Sequence, residues 1–147
     1  MIKRILVPID GSKHADNALE YAINIAEKYN ATVVLLSIIP PIPVISYGNV
    51  TSPPVWMGTY FKEMEAMYEK VLSDALEKVK RSKPSLKVSK KLMEGSPADK
   101  IIETAKEGNF DMIVMGSRGL GGIKELFLGS VSDKVADDAE CPVLIVK

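Results

Sequence analysis

The sequence predicts an α/β fold: one open parallel sheet with helices on both faces. Short apolar runs alternate with segments of helical period, in the order β-α-β-α-β-α-β-α-β. Such regular alternation implies right-handed crossovers and parallel strands. The run Thr32 to Ile39 is apolar almost throughout, as in a strand covered on both faces. A chain of 147 residues, 46% of them hydrophobic, suits one compact domain, so residues 1–147 are read as a single unit.

Each element has its own signal. Ile2 to Pro8 reads as the first strand, rich in β-branched and apolar residues. Asp10-Gly11-Ser12 forms a turn with Ser12 as N-cap. Ala15, Leu19, Ala22, Ile23, Ala26 and Tyr29 then recur at helical spacing, predicting a core-facing helix over residues 13 to 29 that Asn30 ends. After the second strand, Pro40, Pro41, Pro43, Pro53 and Pro54 with Gly48 and Gly58 predict a loop over about residues 40 to 58, long enough to serve as a lid or interface arm.

A helix over about residues 59 to 82 comes next, with Phe61, Met64, Met67, Tyr68, Val71, Leu72, Ala75, Leu76 and Val79 as its apolar stripe. Leu86 to Met93 alternates apolar and polar residues, as in a strand with one wet face at a sheet edge. Glu94-Gly95-Ser96 hands Pro97 to the first position of a third helix, whose inner face is Ile101, Ile102 and Ala105 and which Gly108-Asn109 stops. Asp111 to Met115 is the fourth strand. A last helix starts near Ser130, carrying Val131, Val135 and Ala136 inward, and Pro142 to Val146 is the final strand.

Charge narrows the function. Nineteen basic residues balance nineteen acidic ones, which argues against an electrostatic nucleic-acid binder. Lys87, Lys90 and Lys91 read as a solvated strand edge. With Cys141 as the only cysteine, no intramolecular disulfide forms and a reducing compartment is suitable. The opening apolar run is too short for a signal peptide, and no run approaches a membrane span. The expectation is a soluble cytoplasmic protein with neither membrane nor nucleic acid as partner.

The segment that carries chemistry is Met115-Gly116-Ser117-Arg118-Gly119, with Gly129-Ser130-Val131-Ser132 nine residues further on. Glycines at a strand end let a ligand approach the backbone, and a Gly-Ser pair entering a helix offers free N–H groups, a hydroxyl and the positive end of the helix dipole. The pattern suits phosphate. In an open parallel sheet it converges with Pro8-Ile9-Asp10 after strand one and Ile38 at the end of strand two, if strands one and four are neighbours. Neither a Walker A sequence nor a dinucleotide Gly-x-Gly-x-x-Gly after strand one is present, so the lysine that neutralises β/γ oxygens is missing.

Plainer roles exist beside these. Asp10 also suits a turn, Ser130 an N-cap, and Arg118 either a phosphate contact or a solvated loop arginine. His14, the only histidine, reads as a surface residue, and Cys141 as a small buried filler.

Gly116-x-x-Gly119, nine residues, then Gly129-Ser130 resembles the nucleotide signature of the ATP-binding universal stress proteins. Ile5 to Ser12, Glu94 to Pro97 with Ile101-Ile102, Asp111 to Gly119 and Cys141 to Val146 resemble further segments of that family in order. The resemblance implies a Rossmann-like, adenine-nucleotide alpha-hydrolase-like sheet of five parallel strands ordered 3-2-1-4-5. It places Pro8, Ile9 and Asp10 beside the nucleoside, with Asp10 near the ribose or, through metal and water, the phosphates. Ile38 meets adenine. Gly116 and Gly119 admit ribose and phosphate, with Met115, Ser117 and Arg118 beside them in the nucleotide-binding set, and Gly129, Ser130, Val131 and Ser132 cradle the phosphates. Mg2+ or Mn2+ is held mainly by phosphate oxygens, with Asp10 or Ser130 reached through water.

The function implied is an ATP-binding regulatory or stress-response module with slow or partner-dependent hydrolysis, at most a weak ATPase, working with a regulatory partner the sequence does not name. An ATP pyrophosphatase- or nucleotidyl-transferase-like enzyme, or a dimeric interaction protein that does not use nucleotide, are the alternatives. An edge strand at Val143, Leu144, Ile145 and Val146 predicts a homodimer.

Overall fold

The sheet grows outward in both directions from a strand buried on its two faces. Ile5, Leu6 and Val7 have no exposed surface and form the centre of β1 (Arg4–Pro8). The computed structural model describes residues 1–41, 56–119 and 129–147. Around β1 the chain places α1 (Lys13–Tyr29), β2 (Thr32–Ile39), α2 (Trp56–Ser82), β3 (Val88–Glu94), α3 (Pro97–Glu107), β4 (Met112–Gly116), α4 (Ser130–Asp138) and β5 (Val143–Val146). The strands are parallel in the order β3-β2-β1-β4-β5, so β1 and β4 are neighbours and strand order reverses between them.

Alternation of side chains makes two cores. Ile5, Val7, Val33, Leu35 and Val114 face α1 and α2, packing on Ala15, Leu19, Ala22, Leu72 and Val79. Leu6, Leu36, Ile38, Ile113 and Met115 face α3 and α4, packing on Ala98, Ile101, Ala105 and Val135. Strands covered on both faces need apolar residues at odd and even positions alike, which is what β1, β2 and β4 supply. β3 is an edge strand with exposed lysines, and its Lys90 pairs with Glu69 of α2.

Helix ends obey local chemistry. Ser12 caps α1 by accepting from Ala15 N at 3.2 Å, and Asn30 closes it in the left-handed region at φ 53°. Pro97 occupies the start of α3. Strand starts move inward from the expected ones where other bonds take up the backbone. The Lys3 and Arg4 amides donate to the Asp111 carboxylate at 2.8 and 2.9 Å, and Leu86 N closes a turn onto Lys83 O at 3.0 Å.

Some expectations need correction. α2 begins at Trp56, so residues 56 to 58 are helix and not loop; the rest of the proline-rich stretch, residues 42–55, lies outside the described residues. Gly58 stands in the first turn with open space where a side chain would be, and its weak helix propensity does not stop α2. Tyr29 and Met67 are exposed, at 44% and 43%, where the helical stripes placed them inward. Tyr29 is the last residue of α1 and faces solvent beside Lys28. On α4, Ser132 and Val135 take the inner face, leaving Ala136 exposed and Val131 half-buried.

Candidate functional site

At the carboxyl end of β1 the backbone is pinned before any side chain is considered. Ile9 N donates to Leu36 O at 2.8 Å, and the buried Ser37 hydroxyl donates to Ile9 O at 2.6 Å. Pro8 and Ile9 therefore stay in line with β2. The next residue turns away: Asp10 Oδ1 accepts from Ser12 N at 2.9 Å, and Ser12 in turn caps α1. Donors at the start of α1 are thus partly met by this turn's own side chains.

β4 ends beside this turn. A Cβ on Gly116 would stand 2.7 Å from the His14 carbonyl carbon, so this glycine lets α1 pack directly on the strand. On that side Gly116 meets the fold itself. Three residues on, Gly119 lies against Asp10, and a Cβ there would collide with Oδ2. Neither glycine has a positive φ, so close approach, not backbone conformation, distinguishes them.

Ser117 ties the end of β4 to both β5 and the start of α4. Its amide donates to Val146 O at 2.8 Å, while its carbonyl accepts from Gly129 N at 2.8 Å and Ser132 Oγ at 2.9 Å. Gly119 and Gly129 are thereby brought to one end of the sheet. The Ser132 hydroxyl, buried at 2% exposure, is directed to Ser117 O and Gly129 O, so it braces the cradle instead of facing outward to meet phosphate. Ser117 is likewise buried.

α4 starts differently from α1. Its N-cap is Gly129, in an extended conformation, and among the described residues no side chain caps the helix. Among the described residues no acceptor takes the first N–H groups of α4, where the positive dipole end lies, and Ser130 is exposed beside them. A Cβ on Gly129 would stand 3.2 Å from Ser117 O and 3.6 Å from Arg118 Cα, so bulk there would crowd the cradle. Arg118 is half-buried on the same loop. Ile38 and Met115, at 7% and 5% exposure, belong to the α3/α4 core.

Two side chains near this end of the sheet have distinctive surroundings. Tyr68 on α2 is buried; burial pushes its phenol pKa up, and the nearby Asp10 carboxylate and Tyr60 push it further. It was read as one of nine core-facing positions on the α2 stripe, and its burial bears that reading out. His14, read as a surface residue, is half-buried, with Nδ1 enclosed and, among the described residues, without a hydrogen-bond partner. Its place against Gly116 explains the correction: α1 lies too close to β4 to leave its first turn in solvent.

Among the described residues, no group of three His, Cys, Asp or Glu is placed to hold a metal. A divalent ion at this end of the sheet would depend on ligand oxygens. No described helix is long and apolar enough to cross a membrane. Cys141 lies at the opposite end of the strands, half-buried, with its thiol pKa pushed up by burial, consistent with a filler.

A family model described as the universal stress protein family matches residues 1–147. This chain belongs to the universal stress protein family. The universal stress protein YxiE of Bacillus subtilis is 35% identical over 150 residues, covering 100% of both chains. Among solved structures, universal stress protein UspA from Lactobacillus plantarum shares the fold with a TM-score of 0.82 at 23% identity, covering 99% of this chain and 97% of that one. A universal stress protein solved in complex with cAMP superposes with a TM-score of 0.72 at 27% identity, covering 99% of this chain and 97% of the other.

Proposed function

We propose that this universal stress protein binds ATP with Mg2+ or Mn2+ and acts as a nucleotide-dependent regulatory or stress-response module. The observation that carries the reading is the contrast between two helix starts at the β1/β4 switch point. α1 is capped by Ser12, whereas α4 begins at a bare Gly129 with exposed Ser130 beside it. Phosphate oxygens are the acceptors that such an uncapped start favours. Asp10 and Gly119 lie together at the neighbouring strand ends, where a sugar would sit. The relative with bound cAMP supports an adenine nucleotide as ligand.

Within this reading the backbone N–H groups of Ser130 and Val131 hold phosphate oxygens, Ser117 and Ser132 keep the cradle in shape, and Pro8 and Ile9 form the wall beside the nucleoside. Ile38 lies under the base. The cation neutralises phosphate charge, and Asp10 or Ser130 reaches it through water. Hydrolysis is slow or needs a partner, because the chain has no P-loop lysine.

The protein works as a homodimer in this proposal. β5 is the sheet's edge, and Val143, Leu144 and Ile145 are only half-buried along it, so a second copy would satisfy the strand's unpaired backbone. Native mass spectrometry of gently purified protein tests the reading. Co-purifying adenine nucleotide with magnesium supports it; protein that is free of nucleotide and takes none up on addition of millimolar Mg-ATP contradicts it.

A further inference from the structure

Two strands end the sheet, β5 on one side and β3 on the other. β3 lies in a basic stretch. From Lys78 to Met93 the chain has seven basic residues and no acidic one, although it is neutral as a whole. Four of them pair with carboxylates of α1 or α2. Lys87 and Lys91, both exposed, have no ion partner among the described residues. The backbone beside them is open. Val33 N donates to Lys87 O and Gly95 N to Ile39 O, so Ser89, Lys91 and Met93 turn their backbone groups toward β2. Those of Val88, Lys90 and Leu92 point outward, and among the described residues nothing pairs with them.

The two faces of β3 differ. Val88 and Leu92 pack on the α1/α2 core, and Lys90 between them meets Glu69 and Ser73 of α2. Lys87, Ser89 and Lys91 lie on the α3 side and are exposed; further along that face Met93 is half-buried and accepts from the Thr104 hydroxyl at 3.2 Å. We propose that the outer edge of β3 docks an extended segment of a partner protein in which acidic and apolar residues alternate. Open backbone groups supply the ladder of an added strand, whose side chains fall alternately on its two faces. Carboxylates on one face pair with Lys87 and Lys91, and apolar residues on the other extend the cover over half-buried Val88 and Leu92. Charge selects against a second copy, since β3 on β3 would set lysine beside lysine. Nucleic acid would meet the lysines but leave the edge's alternating amides and carbonyls without a ladder. This surface does not depend on the nucleotide reading.

The probe is a blocked, fluorescent nonapeptide of alternating glutamate and valine, titrated with the full-length protein. Anisotropy should show saturable binding at submillimolar concentration that weakens as salt rises. Lys87→Glu combined with Lys91→Glu should weaken it about tenfold, as reversal of two exposed ion pairs does. By NMR on the wild type, amide exchange at Val88, Lys90 and Leu92 should slow on binding, while Ser89 and Lys91, already bonded to β2, change little. Peptides methylated at the amide nitrogens of all glutamates or of all valines separate a strand from a mere charge: one should fail to bind and the other should bind normally. No binding by wild type at millimolar peptide, equal affinity in the double variant, or equal binding by both methylated peptides overturns the proposal. So does a single-stranded oligonucleotide that slows the same amides at lower concentration, or self-association that the double variant loses; these would give the edge to nucleic acid or to a second copy.

Discussion

Gly119 lies against Oδ2 of Asp10, so closely that a methyl group on the glycine would overlap the carboxylate. The two residues are far apart in sequence and come from the ends of β1 and β4, the neighbouring strands between which the sheet reverses order. An α/β sheet opens its crevice at that point, and the contact brings the end of β4 against the end of β1 there. Gly119→Ala should therefore push Asp10 aside without disturbing the core, since Gly119 is exposed and its φ is ordinary. ATP affinity should fall about tenfold or more with the melting temperature nearly unchanged, measured by calorimetry and thermal unfolding.

Gly116 gives the opposite outcome. A Cβ there meets backbone atoms of His14 at 2.7 and 2.9 Å, and backbone cannot rotate away. Gly116→Ala should destabilise the fold by about 1–3 kcal/mol, read from urea denaturation, because α1 must move off β4.

Ser132 braces the cradle through its hydroxyl. Ser132→Ala should cost about 1 kcal/mol of stability, since Ser117 O keeps its bond from Gly129 N. It should also weaken ATP binding, because α4's start loses its tie to the β4 loop. Stability lost with ATP affinity untouched would show that the brace does not serve the site.

Asp111 sets an acid limit. The Lys3 and Arg4 amides donate to its carboxylate and hold its pKa below the ordinary 3.8. A carboxyl whose pKa is lower folded than unfolded stabilises the fold fully above the unfolded value, and that contribution disappears as pH falls through the folded one. Urea midpoints should thus drop as pH is lowered below about 4, less steeply in Asp111→Asn than in wild type.

Much of the fold was readable from period and punctuation. α1 and β2 fall where Ser12, Asn30 and the apolar run put them, because caps and continuous burial are local signals. What sequence could not supply was rotation and proximity. Ala136 and Val135 are adjacent in sequence, and only the packing of α4 on α3 and β5 decides which is inside. Gly116 and Gly119 look alike in a motif, yet one meets a helix backbone and the other a carboxylate, a distinction made by residues more than a hundred positions away. The sequence put Ser132 at the start of the last helix but could not show that its hydroxyl ties α4 to β4, since the Ser117 carbonyl it meets comes from another element.

If the uncapped start of α4, at Gly129, takes the phosphates of ATP, bulk at that one position must abolish binding. Isothermal titration of nucleotide-free protein with Mg-ATP, for wild type and Gly129→Val, decides it. Saturable binding by wild type and none by the variant, with both proteins folded and the same size by light scattering, is the predicted result. Equal ATP affinity in the two proteins would contradict it.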